Sequence, residues 1–358
     1  MNTAPRFRIF SVAKTGKLTL QKTTVRGGAV QKANIGVGGI NNRGVLNLVG
    51  STVSGNQGCG VASGGEDMYD GETFVDRVTV NKTTISGNIG CGIAADYSDG
   101  VVVTNSIVSN NGTDGIGAFN GRARVVNSTV SGNDGSGIAL VEGGAIVINS
   151  TITGNAGTES FKGYVAGKLG GGVYVGNYSG ATITNSTISG NTADLGGGLY
   201  SYYGGYPEIT NSTITGNAAG QGGGIWSESD DLTLRRTIVA GNQSLDGREL
   251  FASEIQGADI TAGNFNIFGY NESSGLVGFI PETTDIVPTQ PLGAILKPTL
   301  ALNGGPTQTH ALVAGSVAID AVNNGTCPPP ATDQRGIKRP RDGNGDGGLA
   351  CDIASFER

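Results

Sequence analysis

Three aromatic residues at corresponding positions of a repeated sequence are the first candidates for chemistry in this chain. Tyr174, Tyr200 and Trp226 each follow three glycines and one apolar residue. Because successive side chains of a β-strand point to opposite faces, the residue after an inward apolar residue points outward. Exposed aromatic rings stack on the apolar faces of sugars while nearby polar groups bind the hydroxyls. We therefore predict that this aromatic column, together with Tyr202 and Tyr203, binds a glycan or a partner protein.

The surroundings of the aromatic column leave a second interpretation open. Tyr178 and Tyr206 lie in adjoining turns and would enlarge an exposed platform. The insertion that follows Asn155 contains Phe161 and Tyr164, and it could instead fold over the column and bury it. The exposure of the column therefore decides between a binding platform and a covered core.

Two acidic stretches are candidates for a metal site. The string Asp342-Gly343-Asn344-Gly345-Asp346-Gly347 has oxygen-bearing side chains at positions 1, 3 and 5 and glycine at position 6, as in the first half of a calcium loop. Position 12, normally a bidentate Glu, is Ile353. We expect no cofactor, and a structural Ca²⁺ with Asp342, Asn344 and Asp346 as its ligands is the alternative. The second stretch is a solvated turn or another calcium site and contains Glu66, Asp67, Asp70, Glu72 and Asp76.

The elements that would position these residues follow from a repeated phrase that ends in Gly-Asn. Steps between its Asn residues are 32, 23, 22, 22, 36, 26 and 25 residues, and the markers are Asn56, Asn88, Asn111, Asn133, Asn155, Asn191, Asn217 and Asn242. Short apolar bursts between the markers, and 64 glycines without a collagen period, indicate three short strands and three sharp turns per coil. Such self-similarity is typical of stacked repeats. We predict an all-β fold, a right-handed parallel β-helix with about 22 or more residues per coil.

Columns of identical residues have structural interpretations in such a fold. We expect the marker Asn residues to form a ladder, and the residues of the inward column to form the core: Val25, Val53, Ile85, Val108, Val130, Ile152, Ile188, Ile214 and Val239. Thr and Ser flank this column and resemble the flat lattice of some ice-binding proteins. Ile107 and Ile238 interrupt the lattice, so ice binding is a lesser alternative.

Composition limits the possible partners and compartments. A net charge of −6 with 15% charged residues provides no basic footprint, so we expect no nucleic-acid partner. The sequence has no apolar run of membrane-spanning length, and its start lacks the features of a signal peptide. We expect a processed or trimmed chain whose solenoid ends associate with each other or with a partner.

The four cysteines predict two disulfides. Cys59 and Cys91 each lie three residues after a marker Asn, so they should stack on adjacent coils; two buried thiols are the alternative. Cys327 and Cys351 bracket a segment rich in Pro, Gly and Asp that has little core of its own. Disulfides indicate an oxidising compartment.

The C-terminal strings resemble a known family. The stretch from Asn303 to Leu312, the string Asp333-Gln334-Arg335-Gly336 and the string Cys351-Asp352-Ile353 with Glu357 are similar to the end of bacterial choice-of-anchor Q proteins. The glycine triplets resemble repeats of polymorphic outer-membrane adhesins. The resemblance implies a pectin-lyase-like β-helix that is secreted or on the bacterial cell surface, without a single established activity.

The pectin-lyase-like resemblance also implies an enzymatic alternative, a polysaccharide lyase or glycoside hydrolase. Such enzymes use carboxylates with Ca²⁺ and a basic residue, or paired Asp residues. No string here predicts either arrangement, and we interpret His310 as structural. We expect a non-enzymatic scaffold or adhesin, with coils in residues 1–245 and an irregular cap in residues 246–358. Weak catalytic candidates are Asp194, Glu228, Asp230 and Asp231.

Overall fold

The computed structural model describes residues 7–29, 37–64, 77–98, 100–159, 167–228, 231–245, 254–257, 260–322 and 327–358. Within these ranges the chain winds into a parallel β-solenoid with three long sheets. The predicted all-β, right-handed parallel β-helix is confirmed.

Sheet A contains the strands that follow the glycine-rich turns. Its neighbouring strands are parallel and in register, so Ala139, Tyr174, Tyr200 and Trp226 form one outward column. In spatial order the described strands are β1 (Phe10–Val12), β4 (Ile40–Asn42), β7 (Val61–Ser63), β10 (Ile93–Asp96), β13 (Ile116–Phe119), β16 (Ile138–Val141), β21 (Val173–Gly176), β25 (Leu199–Ser201), β29 (Ile225–Ser227), β33 (Ile255–Gly257) and β36 (Leu276–Val277).

Sheet B follows sheet A in every coil. Its longer strands alternate buried and outward residues, so one whole face is open to ligands or solvent. In spatial order they are β2 (Lys17–Gln21), β5 (Val45–Val49), β8 (Arg77–Asn81), β11 (Gly100–Thr104), β14 (Arg122–Val126), β17 (Gly144–Ile148), β22 (Gly180–Thr184), β26 (Tyr206–Thr210), β30 (Leu232–Arg235) and β34 (Ile260–Thr261).

Sheet C completes each coil and carries the Thr and Ser lattice. Its strands are β3 (Thr24–Arg26), β6 (Thr52–Ser54), β9 (Thr84–Ser86), β12 (Ile107–Ser109), β15 (Thr129–Ser131), β18 (Thr151–Thr153), β23 (Thr187–Ser189), β27 (Thr213–Thr215), β31 (Ile238–Val239) and β35 (Ile267–Phe268). The inward residue of each strand from β3 to β31 is the predicted core residue, and these side chains are at most 1% exposed.

A smaller sheet D lies beside the turns between sheets C and A in the later coils. Its strands are β19 (Thr158–Glu159), β20 (Lys168–Leu169), β24 (Thr192–Leu195), β28 (Ala218–Gln221) and β32 (Gln243–Ser244). One short helix, α1 (Leu292–Ile295), lies in the C-terminal segment. No helix in the described part of the chain is long and apolar enough to cross a membrane.

The marker Asn residues form a continuous hydrogen-bonded ladder. The side-chain amide of Asn111 donates to Asn133 Oδ1 at 2.9 Å, and Asn133 donates to Asn155 at 2.8 Å. A Cβ atom on Gly115 would lie 2.7 Å from Asn133 Nδ2, so glycine there leaves room for the ladder. The ladder ends on a carboxylate, because Asn242 Nδ2 donates to Glu254 Oε2 at 2.7 Å.

The coils continue to Leu276–Val277, beyond the boundary at residue 245 that the markers predicted. Glu254 takes the place of the next marker Asn. A second ladder, next to the Asn ladder, consists of Ser and Thr side chains, such as Ser212 and Thr237. Asn266 belongs to this second ladder, where its Oδ1 accepts a hydrogen bond from the Thr237 N–H at 3.1 Å. The repeated phrase therefore disappears although the coil geometry persists.

The C-terminal segment, residues 292–358, packs along the outside of sheet C instead of only closing the last coil. Gln334 accepts from Thr187 Oγ1 at 2.7 Å and donates to Thr151 Oγ1 at 3.2 Å. Ser355 lies within hydrogen-bond distance of Thr187 (3.1 Å) and Thr213 (3.0 Å). These three Thr side chains are buried, so this part of the lattice proposed for ice binding is covered by the chain itself.

His310 belongs to the same contact and has a structural position. Its Nε2 lies 2.9 Å from Ser189 Oγ, and its Nδ1 lies 2.8 Å from the Lys297 carbonyl oxygen. Burial lowers the pKa of His310. The ring is therefore neutral, and its hydrogen bonds connect Ser189 of the Thr and Ser lattice to Lys297 of the C-terminal segment.

Both predicted disulfides are present. The Cα atoms of Cys59 and Cys91 are 4.4 Å apart on adjacent coils, and those of Cys327 and Cys351 are 5.7 Å apart. The first bond ties two coils together, and the second closes part of the C-terminal segment.

The end of the Asn ladder predicts a pH dependence of stability. Burial raises the pKa of Glu254 to about 7, although three N–H donors from Gly241 and Asn242 oppose the shift. Because the folded pKa lies above the unfolded value of 4.5, this group stabilises the fold fully below pH 4.5. That contribution, up to about 3 kcal/mol, is lost as pH rises through 7.

Denaturant titrations at pH 5 and pH 8 check this expectation. The wild-type chain should be more stable at pH 5, and Glu254→Gln should reduce the difference between the two values. An unchanged pH difference in the variant would show that other groups cause it.

Candidate ligand-binding groove

The aromatic column is largely buried. Tyr174 is 5% exposed and Tyr200 is 0% exposed, and their rings stack with centroids 5.7 Å apart. Leu169 and Leu195 of sheet D pack against them. The predicted platform is therefore wrong for these two tyrosines, and the alternative of a covered column is correct for them. Phe161 and Tyr164, the expected cover, lie outside the described residues.

Trp226 forms the more open end of the column. Its indole Nε1 donates to Glu228 Oε1 at 3.0 Å, and the Tyr200 hydroxyl donates to the same oxygen at 3.3 Å. Burial raises the pKa of Tyr174 to about 12, and burial together with Glu228 raises that of Tyr200 further. Both phenols therefore stay protonated, and Tyr200 keeps its proton to donate.

The proposed catalytic acids have local partners. Asp194 is exposed and accepts a hydrogen bond from the Lys168 N–H at 2.7 Å. Glu228 accepts hydrogen bonds from Tyr200 and Trp226. Asp231 is exposed, and Asp230 lies outside the described residues. The part of the chain that the structure describes has no group of three His, Cys, Asp or Glu side chains placed to hold a metal ion. A catalytic role for these acids stays a prediction.

The calcium-like string forms a tight turn. Asp342 Oδ1 accepts from Gly345 N at 2.6 Å, and Asn344 Nδ2 donates to Asp346 Oδ2 at 3.0 Å. Backbone and amide donors therefore already use several oxygens of the string. Calcium binding there stays an alternative prediction, and the second acidic stretch, Glu66 to Asp76, lies outside the described residues.

Exposed tyrosines continue the aromatic column around the turn from sheet A to sheet B. Tyr202 stacks on Tyr200 with a centroid distance of 6.2 Å. Tyr203 and Tyr178 are 61% and 63% exposed and meet edge to face at 5.4 Å. Tyr206, 55% exposed, begins β26 and brings an aromatic ring onto the outer face of sheet B. The exposed aromatic surface thus lies beside sheet B.

A groove of about 890 Å³ begins at Tyr178 and Tyr206 and runs across sheet B. It crosses β11, β14, β17, β22 and β26. In one outward column Arg122, Gly144, Gly180 and Tyr206 are consecutive register partners. The two glycines leave a gap between the guanidinium and the ring, and this gap forms the floor of the groove.

Gly180 also sets the position of the Tyr206 ring. A Cβ atom on Gly180 would lie 2.4 Å from Tyr206 Cε2, so only glycine allows the ring to lie down over β22. An exposed aromatic ring in this position can stack on a ligand that lies on the groove floor.

The groove is positively charged although the chain is acidic overall. Arg122 and Arg124 are exposed on β14 and line the groove, and Glu142 is the acidic side chain of the lining. Among the described residues neither arginine forms a salt bridge, whereas Arg235 on the same sheet contacts Glu208 at 3.4 Å. Two free guanidinium groups provide paired donors for carboxylate or other anionic groups.

This groove was not predicted from the sequence, because the aromatic residues that follow the glycine triplets belong to sheet A. The sequence of the sheet B strands nevertheless contains a pattern from which the groove could have been predicted. The string Arg122-Ala123-Arg124 lies one coil before Gly144 and two coils before Gly180, so aligned repeats place two small residues beside two cations.

Comparisons with known proteins support the fold. Residues 9–160 and 157–277 match the family model described as the right handed beta helix region. The crystal structure of pectate lyase Pel9A is similar with a TM-score of 0.50 and 14% identity, covering 98% of this chain and 86% of that chain. At this identity the likeness shows the fold alone. No curated protein matches significantly, and the narrower resemblance to choice-of-anchor Q proteins is not confirmed.

Proposed function

Because this chain belongs to the right-handed β-helix family, whose fold it shares with a pectate lyase, we propose that it is an extracellular scaffold that binds an anionic polysaccharide. The ligand lies in the groove on sheet B. One observation supports this most: Arg122 and Arg124, which form no salt bridge with any described residue, share a groove with two exposed tyrosines, Tyr178 and Tyr206. Guanidinium groups bind the acidic substituents while the rings stack on the sugars.

The proposed role is binding without cleavage. Hydrolysis by the usual route needs two carboxyl groups on either side of the bond, whereas among the described residues that line the groove only Glu142 carries a carboxyl group. The predicted acids Asp194, Glu228 and Asp231 are not among the lining residues. Two disulfides favour an oxidising compartment, so we propose secretion or display on the bacterial cell surface, where the scaffold acts as an adhesin.

Affinity electrophoresis in polygalacturonate tests the proposal. The wild-type chain should be retarded more strongly at low salt than at high salt, since ion pairs are screened. Arg122→Gln/Arg124→Gln should weaken binding by about tenfold or more, because each charge-assisted hydrogen bond contributes roughly 1.5–3 kcal/mol.

A matched variant controls for net charge. Lys17→Gln/Arg26→Gln removes the same charge from exposed residues outside the groove and should bind like the wild type. Equal binding by both double variants, or no retardation of the wild type, would refute the proposal. Appearance of shortened polygalacturonate in the same incubations would instead favour the enzymatic alternative.

A further inference from the structure

The two ends of the solenoid carry opposite charges. Residues 1–65 contain eight Lys or Arg and no Asp or Glu, although the whole chain has a net charge of −6. Residues 249–296, which include the last strand of each long sheet, contain six Asp or Glu and no Lys or Arg. We infer that copies of this chain associate head to tail, with the cationic end of one solenoid against the anionic end of the next.

The cationic end is the first coil, which contains β1, β2 and β3. Lys17 begins β2, Lys22 lies in the turn that follows, and Arg26 ends β3. All three residues are exposed, and none of them forms a salt bridge with a described residue. Positive charge therefore extends along sheet B, around the turn and onto sheet C.

The anionic end is the last coil. Glu272 lies in the turn between β35 and β36, and Glu282 follows β36. Both residues are exposed and form no salt bridge with a described residue. The C-terminal segment, which carries several arginines, turns back over sheet C, where Gln334 contacts Thr151 and Thr187. These arginines therefore leave the charge of the last coil uncompensated.

Both ends also expose apolar surface. Leu18 of β2 is only partly buried, whereas its register partner Leu46 in the next coil is 0% exposed. Phe7 at the same end is 58% exposed. At the other end Val277 is 52% exposed and Ile280 is 85% exposed. Contact between the two ends would remove this surface from water, which favours association.

The strand directions suit a head-to-tail contact. Among the described strands, β1, β2 and β3 each have one neighbour, so one edge of each strand has unpaired N–H and C=O groups. Strands of successive coils are parallel, and a second copy on the same axis continues this direction. A head-to-head contact would instead bring the cations of two first coils together. An interface between two different surfaces on one axis does not close, so the product is a linear array.

Sedimentation velocity over a range of protein concentrations tests this inference. At an ionic strength of about 0.01 M the mass of the wild-type species should increase with concentration. At about 1 M, where the Debye length is about 3 Å, the association constant should fall at least about tenfold. Two charge-reversed variants, Lys17→Glu/Lys22→Glu/Arg26→Glu and Glu272→Lys/Glu282→Lys, lack complementary ends and should show a similar loss at low salt.

A mixture of the two charge-reversed variants should assemble, because the reversed first coil of one matches the reversed last coil of the other. Such recovery also shows that both variants are folded. Arg122→Gln/Arg124→Gln removes two cations from the middle of the solenoid and should assemble as the wild type does.

Three results would overturn the inference. One is a wild-type chain that stays monomeric at every concentration, and another is wild-type assembly by either charge-reversed variant alone. The third is a mixture that stays monomeric while the wild type binds vesicles of phosphatidylglycerol, since the cationic end would then contact an anionic membrane instead of a second copy.

Discussion

Replacing Arg339 with Ala is expected to destabilise the C-terminal segment by about 3–5 kcal/mol. Arg339 Nη1 lies 3.0 Å from Glu357 Oε2, and both side chains are at most 1% exposed. The same guanidinium donates to the carbonyl oxygens of Asp352 at 2.8 Å and Ala354 at 2.6 Å. Its removal takes the paired cation from the buried Glu357 carboxylate, which keeps only the backbone N–H donors of Arg341 and Asp352, and it removes the guanidinium donor of the two carbonyl groups. Glu357, whose pKa burial raises to about 7, would have to take up a proton or move.

Denaturant titration followed by limited proteolysis measures this effect. The segment should become cleavable at lower denaturant in Arg339→Ala, while Lys338→Ala, at an exposed neighbouring position, should behave as the wild type. A double variant with Met at positions 339 and 357 should recover much of the loss, because it removes both buried charges. A wild-type profile for Arg339→Ala would contradict the role assigned to the ion pair.

The second large effect is expected at Tyr200, whose substitution with Ala should cost about 3–5 kcal/mol. Tyr200 is fully buried, with the rings of Tyr174 and Tyr202 at centroid distances of 5.7 Å and 6.2 Å. Truncation opens a cavity between sheets A and D and leaves Glu228 without one of its donors. Tyr200→Phe keeps the packing and should cost only about 1 kcal/mol for the lost hydrogen bond.

Tyr203→Ala is the matched comparison, because this tyrosine lies in the turn that follows β25 but is 61% exposed. Urea denaturation should show a change below about 1 kcal/mol for this variant. Similar losses for Tyr200→Ala and Tyr203→Ala would show that the aromatic column is not a packed cluster.

Much of the fold could be predicted because each coil repeats the same local structure. A single Gly-Asn phrase specifies both the turn and the ladder amide, as at Asn133, and an apolar residue such as Val130 identifies the core face. The end of the coils could not be predicted in this way. Glu254 replaces the side-chain amide with a carboxylate, which only accepts hydrogen bonds when it is ionised. The Asn ladder therefore ends at Glu254, where the sequence has no marker Asn.

The site was harder to predict than the fold for a physical reason. Exposure of Tyr200 depends on Leu169 and Leu195, which lie on short strands of sheet D without a periodic pattern of their own. The lattice of sheet C is covered through contacts between residues more than 100 positions apart, as for Ser189 and His310. Sequence spacing within the repeats therefore specifies which residues share a column but not what lies over it.

The crystal structure of the protein in complex with a galacturonate tetramer would test the central claim most directly. The proposed function predicts the tetramer on sheet B, with a carboxylate at the guanidinium groups of Arg122 and Arg124 and a sugar ring against Tyr206. A tetramer bound at Trp226 and Glu228 on sheet A, or a sheet B groove that stays empty at saturating tetramer, would contradict it.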